Sequence, residues 1–350
     1  SFNVGFDFGA FSNRLTGSFD YFVRKTVDMV GPAPQLPLVL GIAPAIVNNA
    51  DMKSYGFEIE LSWRDRIGEV DYGVKFNLAD AQQKVVKYPN TTNAFSDWYA
   101  GKMSGEIWGY TSLGIAKTDE EMKEHLASLP NGGQNQLGNK WGAGDIMYAD
   151  INGDGKVDGG KGTLADPGDQ RIIGNSTPRY NFGLVLDASY KGFDVSIFFQ
   201  GVGKRDYAPI VGTNGAVFWG AVNNIWQSMA MEEHFDYFRP EGHPMGANLN
   251  GYYPRPDFTS NKNHQVQTRY LQDASYIRLK NLQIGYTLPK QWINKLQINR
   301  CRVYVSGDNL WTGTSLASMF DPETLAAGDW GSGKTYPLSK VISFGLNVNF

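Results

Sequence analysis

Residues 150–158 read DINGDGKVD, and the spacing Asp-x-Asn-x-Asp-Gly-x-x-Asp sets out oxygen ligands in the order a calcium loop uses. Asp150, Asn152, Asp154 and Asp158 supply the oxygens, and Gly155 allows the tight turn between them. The twelfth position, where such loops place a bidentate acid, is Lys161. The insertion GGKGTLADPG moves the nearest acids to Asp166 and Asp169. Calcium held there would pin a loop rather than catalyse. Asx turns without a metal would use the same residues to close it.

Residues 328–335, GDWGSGKT, match the phosphate-loop pattern G-x-x-x-x-G-K-[ST]. A phosphate loop follows a hydrophobic strand and opens a helix whose N-terminus receives the phosphates. Here SMFDPETLAA precedes, and Pro337 with a period-two segment follows, so this reads as a glycine-rich loop. His125, His234, His243 and His264 show no metal spacing, and no nucleophile, base and orienting acid come together. Glu58 and Glu60 share one strand face and read as solvated wall charges. No enzyme is expected. Two aromatic clusters are the binding candidates: Trp219 and Trp226 in FWGAVNNIW, and Tyr237 and Phe238 in FDYFRPEGHP. Their rings could stack on a substrate or meet a partner, or simply pack the loops that carry them.

Strands position these groups. In GFEIELSW the apolar set is Phe57, Ile59, Leu61 and Trp63, with Glu58 and Glu60 opposite. VDYGVKFNLAD gives Val70, Tyr72, Val74, Phe76 and Leu78 on one face. YNFGLVLDASY gives Phe182, Leu184, Leu186, Ala188 and Tyr190; FDVSIFFQ gives Phe193, Val195, Ile197 and Phe199. The closing VISFGLNVNF gives Phe344, Leu346, Val348 and Phe350. None of these faces carries a charge.

Nine such strands are expected, at about 2–10, 14–25, 53–64, 69–80, 178–190, 193–203, 275–288, 300–311 and 338–350. Most are long enough to cross a bilayer with tilt, and Trp63, Tyr72, Tyr190 and Tyr286 stand near the ends of the apolar sets, as interfacial girdles do. The opposite faces carry Glu58, Glu60, Asp71, Lys75, Asp187 and Asp194, which are costly in a dry inter-sheet core and cheap against a wet lumen. Links alternate short and long: FSNR, RDRIG, KG and PKQWINKLQIN against about 27–52, 81–177, 204–274 and 312–337. That alternation predicts an all-β, transmembrane, antiparallel up-and-down barrel, with 81–177 and 204–274 as long extracellular loops. Within 275–288, strict alternation puts Arg278 and Lys280 on the lipid face at the outer rim, unless a bulge turns them away. Phe57, Leu61, Trp63, Tyr72, Phe76, Leu184, Tyr190, Phe344 and Leu346 are the expected lipid-facing residues. TDEEMKEHLASL reads as a short helix, N-capped by Thr118 with Glu121 three residues on.

Composition narrows the classes. Of 350 residues 19% are charged and 13% aromatic, with 41 glycines, which suits long strands and glycine-rich turns. A net charge of -3 without a basic stripe gives no footprint for nucleic acid. One cysteine, Cys301, excludes an intramolecular disulfide and a four-cysteine zinc site. No apolar run approaches the roughly 18 residues of a membrane helix, and the chain opens without a signal segment, as a piece of something longer would. Nine strands leave an odd number, so further strands are expected upstream.

WGY at 108–110, DINGDGKVD, DQRIIGNSTPRYNFGL at 169–184, SYKGFDVSIFFQGVGKRD at 189–206, YIRLKNLQIGYTLP at 276–289 and VYVSGDNLWTGT at 303–314, with the terminal aromatic, resemble one family in order along the chain. The set resembles the C-terminal part of a SusC/RagA-type TonB-dependent outer-membrane transporter. The resemblance implies a 22-stranded barrel in the outer membrane, plugged by an N-terminal domain outside this chain. It also implies a SusD-type lipoprotein lid, contact with outer-membrane lipid and lipopolysaccharide, and TonB-driven import of oligosaccharides or peptides. Plug, TonB box and the first thirteen or so strands carry gating and energy coupling, so this segment alone should transport nothing. Phe350 then matches the aromatic that the insertion machinery reads. The rival expectation is a secreted β-rich, calcium-dependent glycan-binding or glycan-degrading protein, whose apolar faces would pack between two sheets. A non-transporting adhesive barrel is a second rival.

Overall fold

The computed structural model describes residues 1–33, 41, 45–209, 218, 231–257, 262–294, 297–325 and 335–350. Nine strands form one antiparallel sheet: β1 Phe2–Ala10, β2 Leu15–Val30, β3 Asn48–Ile67, β4 Val70–Lys87, β5 Arg179–Tyr190, β6 Phe193–Lys204, β7 Tyr276–Thr287, β8 Arg300–Thr314 and β9 Val341–Asn349. Their order across the sheet is their order along the chain, so each strand pairs with its sequence neighbours. Short turns close one end. Between β5 and β6 only Lys191 and Gly192 turn the chain, both at positive φ (46° and 90°), as a two-residue hairpin of the primed type demands.

Register joins the apolar sets into one surface. Phe6 lies opposite Phe19, Phe19 opposite Ile59, Ile59 opposite Leu78 and Leu78 opposite Phe182. Further along, Leu186 faces Ile197 and Ile197 faces Leu282, while Tyr286 faces Val303 and Val303 faces Leu346. Because paired residues share a face, all nine expected lipid-facing residues lie on this one side. Among the described residues nothing stacks on it. The remaining strands form three two-stranded pairs in the long links, and the buried hydrophobic cluster also lies in those links. Phe344 and Leu346 are 85% and 64% exposed. A soluble sandwich would bury this face against a second sheet about 10 Å away.

The aromatic residues expected to form a girdle stand stepped at the short-turn end. Tyr190, Phe193 and Tyr286 share one cross-strand row. Tyr72 pairs with Ala188, one residue pair higher, and Trp63 pairs with Val74, one pair higher again. A level boundary crosses the hydrogen-bonded rows obliquely when strands tilt, as they must in a barrel.

Several strands outrun their expected bounds. β3 and β4 continue to Asn48 and Lys87 and still pair there, at Asp51 and Lys87. Their loop-proximal ends mix Ala50, Met52, Val85 and Val86 with polar residues without a clean alternation, and Ala50 and Val85 are buried there. The 289–299 link holds a short helix, Lys290–Ile293. Lys280 is skipped in the pairing of β7 with both β6 and β8. This bulge returns Leu279 to the apolar face, opposite Phe199, and turns Arg278 to the polar side. There Arg278 meets Asp321 at 2.7 Å and Glu323 at 2.8 Å, and Lys280 Nζ also reaches Glu323, at 2.9 Å.

Candidate functional site

The three long links after β4, β6 and β8 fold together into one cap. Tyr110, Ile146, Tyr148 and Val157 come from the first; Tyr207, Phe218, Phe238, Tyr253 and Tyr270 from the second; Leu316 and Phe320 from the third. Their rings meet edge-on, Tyr110 with Tyr148 at 5.7 Å and Tyr207 with Phe320 at 5.4 Å. Burying such rings is the main driving force of the cap. The sequence marks them only as long loops; the structure packs them into one body.

Phe238 is corrected by this packing. It is 2% exposed, a core residue of the cap rather than a ring free to touch substrate or partner. Tyr237 beside it is half-buried, with the Arg239 guanidinium 5.0 Å from its ring centre and its hydroxyl 3.8 Å from Met245 Sδ. Trp219 and Trp226 lie outside the described residues, as does GDWGSGK at 328–334.

A polar bolt ties the first link to the second. Asp145 is fully buried and accepts from the Gly142 amide at 2.9 Å, Arg255 Nε at 2.8 Å, Asn263 Nδ2 at 2.9 Å and Lys262 Nζ at 2.8 Å. Lys262 also donates to the carbonyls of Asn139 and Lys140, and its ammonium lies 5.1 Å from the centre of the Trp141 ring. Gln267 donates to the Tyr148 hydroxyl, which donates to the Lys262 carbonyl. Sequence reading missed this group because its partners stand more than a hundred residues apart.

The 150–158 loop is closed by the chain's own donors. Asp150 accepts from the amides of Gly153 and Gly155, at 2.6 and 2.8 Å. Asp169 accepts from Ile151, Asn152 and Asp158, so the displaced acid does return to the loop. The Lys156 ammonium pairs with Asp158 and lies 3.9 Å from Asp154, and its proximity holds the Asp158 carboxyl below the usual carboxylate range. Among the described residues no three His, Cys, Asp or Glu side chains gather as a metal cluster. Lys156 places one positive charge between Asp154 and Asp158, and Asx turns from Asp150 and Asn152 to backbone amides close the loop.

The helix forms as expected over Asp119–Ala127, with Thr118 Oγ1 accepting the Glu121 amide at 3.1 Å and Met122 buried. Glu121 reaches back to the Lys117 amide, one residue before the cap. The histidines are dispersed: His125 contacts Gln134, His234 the Phe218 carbonyl, and His243 the Met245 amide. His264 is buried, and that burial pushes it down to about 4.

Below the cap, the sheet's other face carries Glu58, Glu60, Asp71, Lys75, Asp187 and Asp194. Arg302 spans from β8 to Asp194 on β6, passing over β7 at Gly285, where a Cβ would strike its guanidinium. Arg302 thus lies along the wall, where it also donates to Gln283.

A packed cap, a polar wall and an uncovered apolar back are the features to compare with known proteins. No family model matches the sequence. TonB-dependent receptor P3 of Formosa agariphila is 29% identical over 378 residues, covering 99% of this chain and 34% of that protein. TonB-dependent receptor SusC of Bacteroides thetaiotaomicron is 21% identical over 368 residues, covering 100% and 32%. The chain resembles the SusC/RagA-type TonB-dependent transporters. A chain of the RagAB peptide transporter superposes with a TM-score of 0.70 at 22% identity, covering 99% of this chain and 35% of that one. The RagAB peptide importer in its closed-closed state gives 0.67 at 24% identity. These likenesses fix the fold: a stretch of TonB-dependent transporter barrel with its attached links. The chain spans about a third of the curated relatives it matches, and those named here are receptors rather than enzymes.

Proposed function

We propose that this chain builds the C-terminal third of a SusC/RagA-type outer-membrane barrel that imports nutrient oligomers, glycan or peptide, with energy from TonB. The observation that carries the reading is the uncovered apolar face, supported by similarity along this chain to about a third of a TonB-dependent receptor. On this reading Phe57, Leu61, Trp63, Tyr72, Phe76, Leu184, Tyr190, Phe344 and Leu346 face acyl chains. Glu58, Glu60 and Lys75 line the aqueous bore, links 81–177 and 204–274 stand outside the cell, and Phe350 is the assembly signal. A SusD-type lipoprotein docks on the cap, with Tyr237 in a half-buried position that a lid or substrate can reach. Glu58 and Glu60 are solvated wall charges; no bond is made or broken at the site.

The full-length protein should need detergent to stay dispersed and should float with lipid vesicles. Cells carrying it should take up labelled oligosaccharide or oligopeptide pools in a TonB-dependent way. A full-length protein that stays monodisperse without detergent would sink the reading.

A further inference from the structure

We propose that Lys25, Lys53 and Lys84 form a binding row for the phosphate groups of an outer-leaflet lipid. The proposal rests on the membrane reading above. Lys25 on β2 is the register partner of Lys53 on β3, and Lys53 that of Lys84 on β4. All three side chains leave from the apolar face, at the end of the sheet where the long links begin. Like charges directly opposite one another destabilise a sheet unless something neutralises them.

Among the described residues none of the three makes an ion pair; the Lys53 ammonium lies 5.3 Å from the centre of the Tyr55 ring. The acids nearest on that face make no ion pair with these lysines. Asp51 accepts the Asp28 amide at 2.9 Å, and Asp80 is held by Arg179. Lys25 and Lys84 are exposed and Lys53 half-buried, so an external anion can reach them.

Position selects the anion. Along β3 the face is apolar up to Phe57, passes Tyr55, and reaches Lys53 two residues after Tyr55, ~7 Å along the strand. The headgroup layer extends roughly 5–7 Å beyond the hydrocarbon on each side. Because the girdle is stepped, the row crosses that layer obliquely, and flexible stems let the ammonium groups converge. A groove lined by Lys53, Tyr55, Lys84, Val85 and Gly101 opens beside the row. An occupant that suits both the cations and the apolar surface below them is an anionic headgroup with acyl chains attached; free phosphate would use only the first.

The test uses the full-length protein and its Lys25→Gln/Lys53→Gln/Lys84→Gln variant, reconstituted in phosphatidylcholine vesicles doped with lipid A. A second set of vesicles carries lipid A stripped of its phosphates. After flotation and gentle extraction, lipid A retained per protein is counted by mass spectrometry. Wild type should retain phosphorylated lipid A at least tenfold better than the triple variant, and should not distinguish the two in the phosphate-free set. The triple arginine variant should restore retention, and millimolar inorganic phosphate should not compete. Equal retention by wild type and the glutamine variant, with both floating, overturns the row and leaves the membrane reading intact. Competition by inorganic phosphate alone overturns the lipid assignment. Failure of wild type to float overturns both.

Discussion

Lys262 Nζ lies 2.8 Å from Asp145 Oδ2, and both side chains are sealed from solvent, at 1% and 0% exposure. One comes from the β6–β7 link and the other from the β4–β5 link, so this pair bolts two loops of the cap together. Removing one partner of a buried pair leaves the other charge stranded, at about 3–5 kcal/mol. Asp145→Asn in the full-length protein should therefore speed hydrogen exchange at the amides of Ile146 and Tyr148 by roughly two to four orders of magnitude. Amides in the middle of β3 and β4 should keep their protection. Adding Lys262→Met should recover much of the loss, because it removes the stranded cation. Equal protection in wild type and Asp145→Asn would show that the bolt carries no load.

Asp169 is the hub of the 150–158 loop, accepting three backbone amides from a fully buried position. Asn at this position keeps one acceptor but turns an amide N–H toward a backbone donor, at a cost of about 1–3 kcal/mol. Exchange at Ile151 and Asp158 should accelerate by roughly ten- to a hundredfold. Because Lys156 already neutralises Asp158, millimolar calcium should change wild-type exchange in this loop little. Strong protection on adding calcium would instead support the calcium reading of Asp150, Asn152, Asp154 and Asp158.

His264 gives the cap a pH dependence. Burial lowers its pKa from an ordinary 6.5 to about 4, with the nearby Asp257 charge opposing the shift. Between those values the opened cap binds a proton that the closed cap refuses. Cap stability from this residue is therefore complete above about pH 6.5 and is lost as pH falls toward 4, with a slope approaching ~1.4 kcal/mol per unit. Exchange at Gln267 and Tyr270, corrected for intrinsic rates, should rise over that window in wild type. His264→Gln should flatten the dependence; an unchanged slope would assign it to other groups.

The wall was legible and the cap was not, for one physical reason. A strand with lipid or core on one side and water on the other must alternate, so Phe57 to Trp63 and Phe344 to Val348 announce both strand and face. Even the ambiguity at Arg278 was visible as a break in parity, and the bulge at Lys280 resolves it. The upper ends of β3 and β4 mix apolar and polar residues, with Ala50 and Val85 buried by contacts the local pattern does not show, and were cut short. In the cap, burial follows from contacts between links far apart in sequence. Phe238 and Tyr237 are adjacent and chemically alike, yet one is core and the other half-exposed. Nothing local distinguishes them. Asp145 and Lys262 were likewise invisible as a pair, although a buried acid needs such a partner.

Leu346 and Asn347 stand side by side on β9 and point to opposite faces, opposite Val303 and Arg302 respectively. That makes them a paired test of which side meets lipid. Leu346 shares the register row of Tyr286 and Val303, and Val348 and Phe350 continue its face toward the short-turn end, so it stands inside the apolar band. An arginine on the lipid side at mid-depth costs about 2–4 kcal/mol, whereas one in a wet lumen costs little. Leu346→Arg in the full-length barrel should lower the denaturant midpoint for unfolding from vesicles and reduce the folded fraction in the membrane. Asn347→Arg, one residue away and next to Arg302, should cost no more than local charge repulsion, which added salt should screen. If Asn347→Arg proved the more damaging of the two, the faces would have to be exchanged and the lumen assignment of Glu58, Glu60 and Lys75 would fall with them.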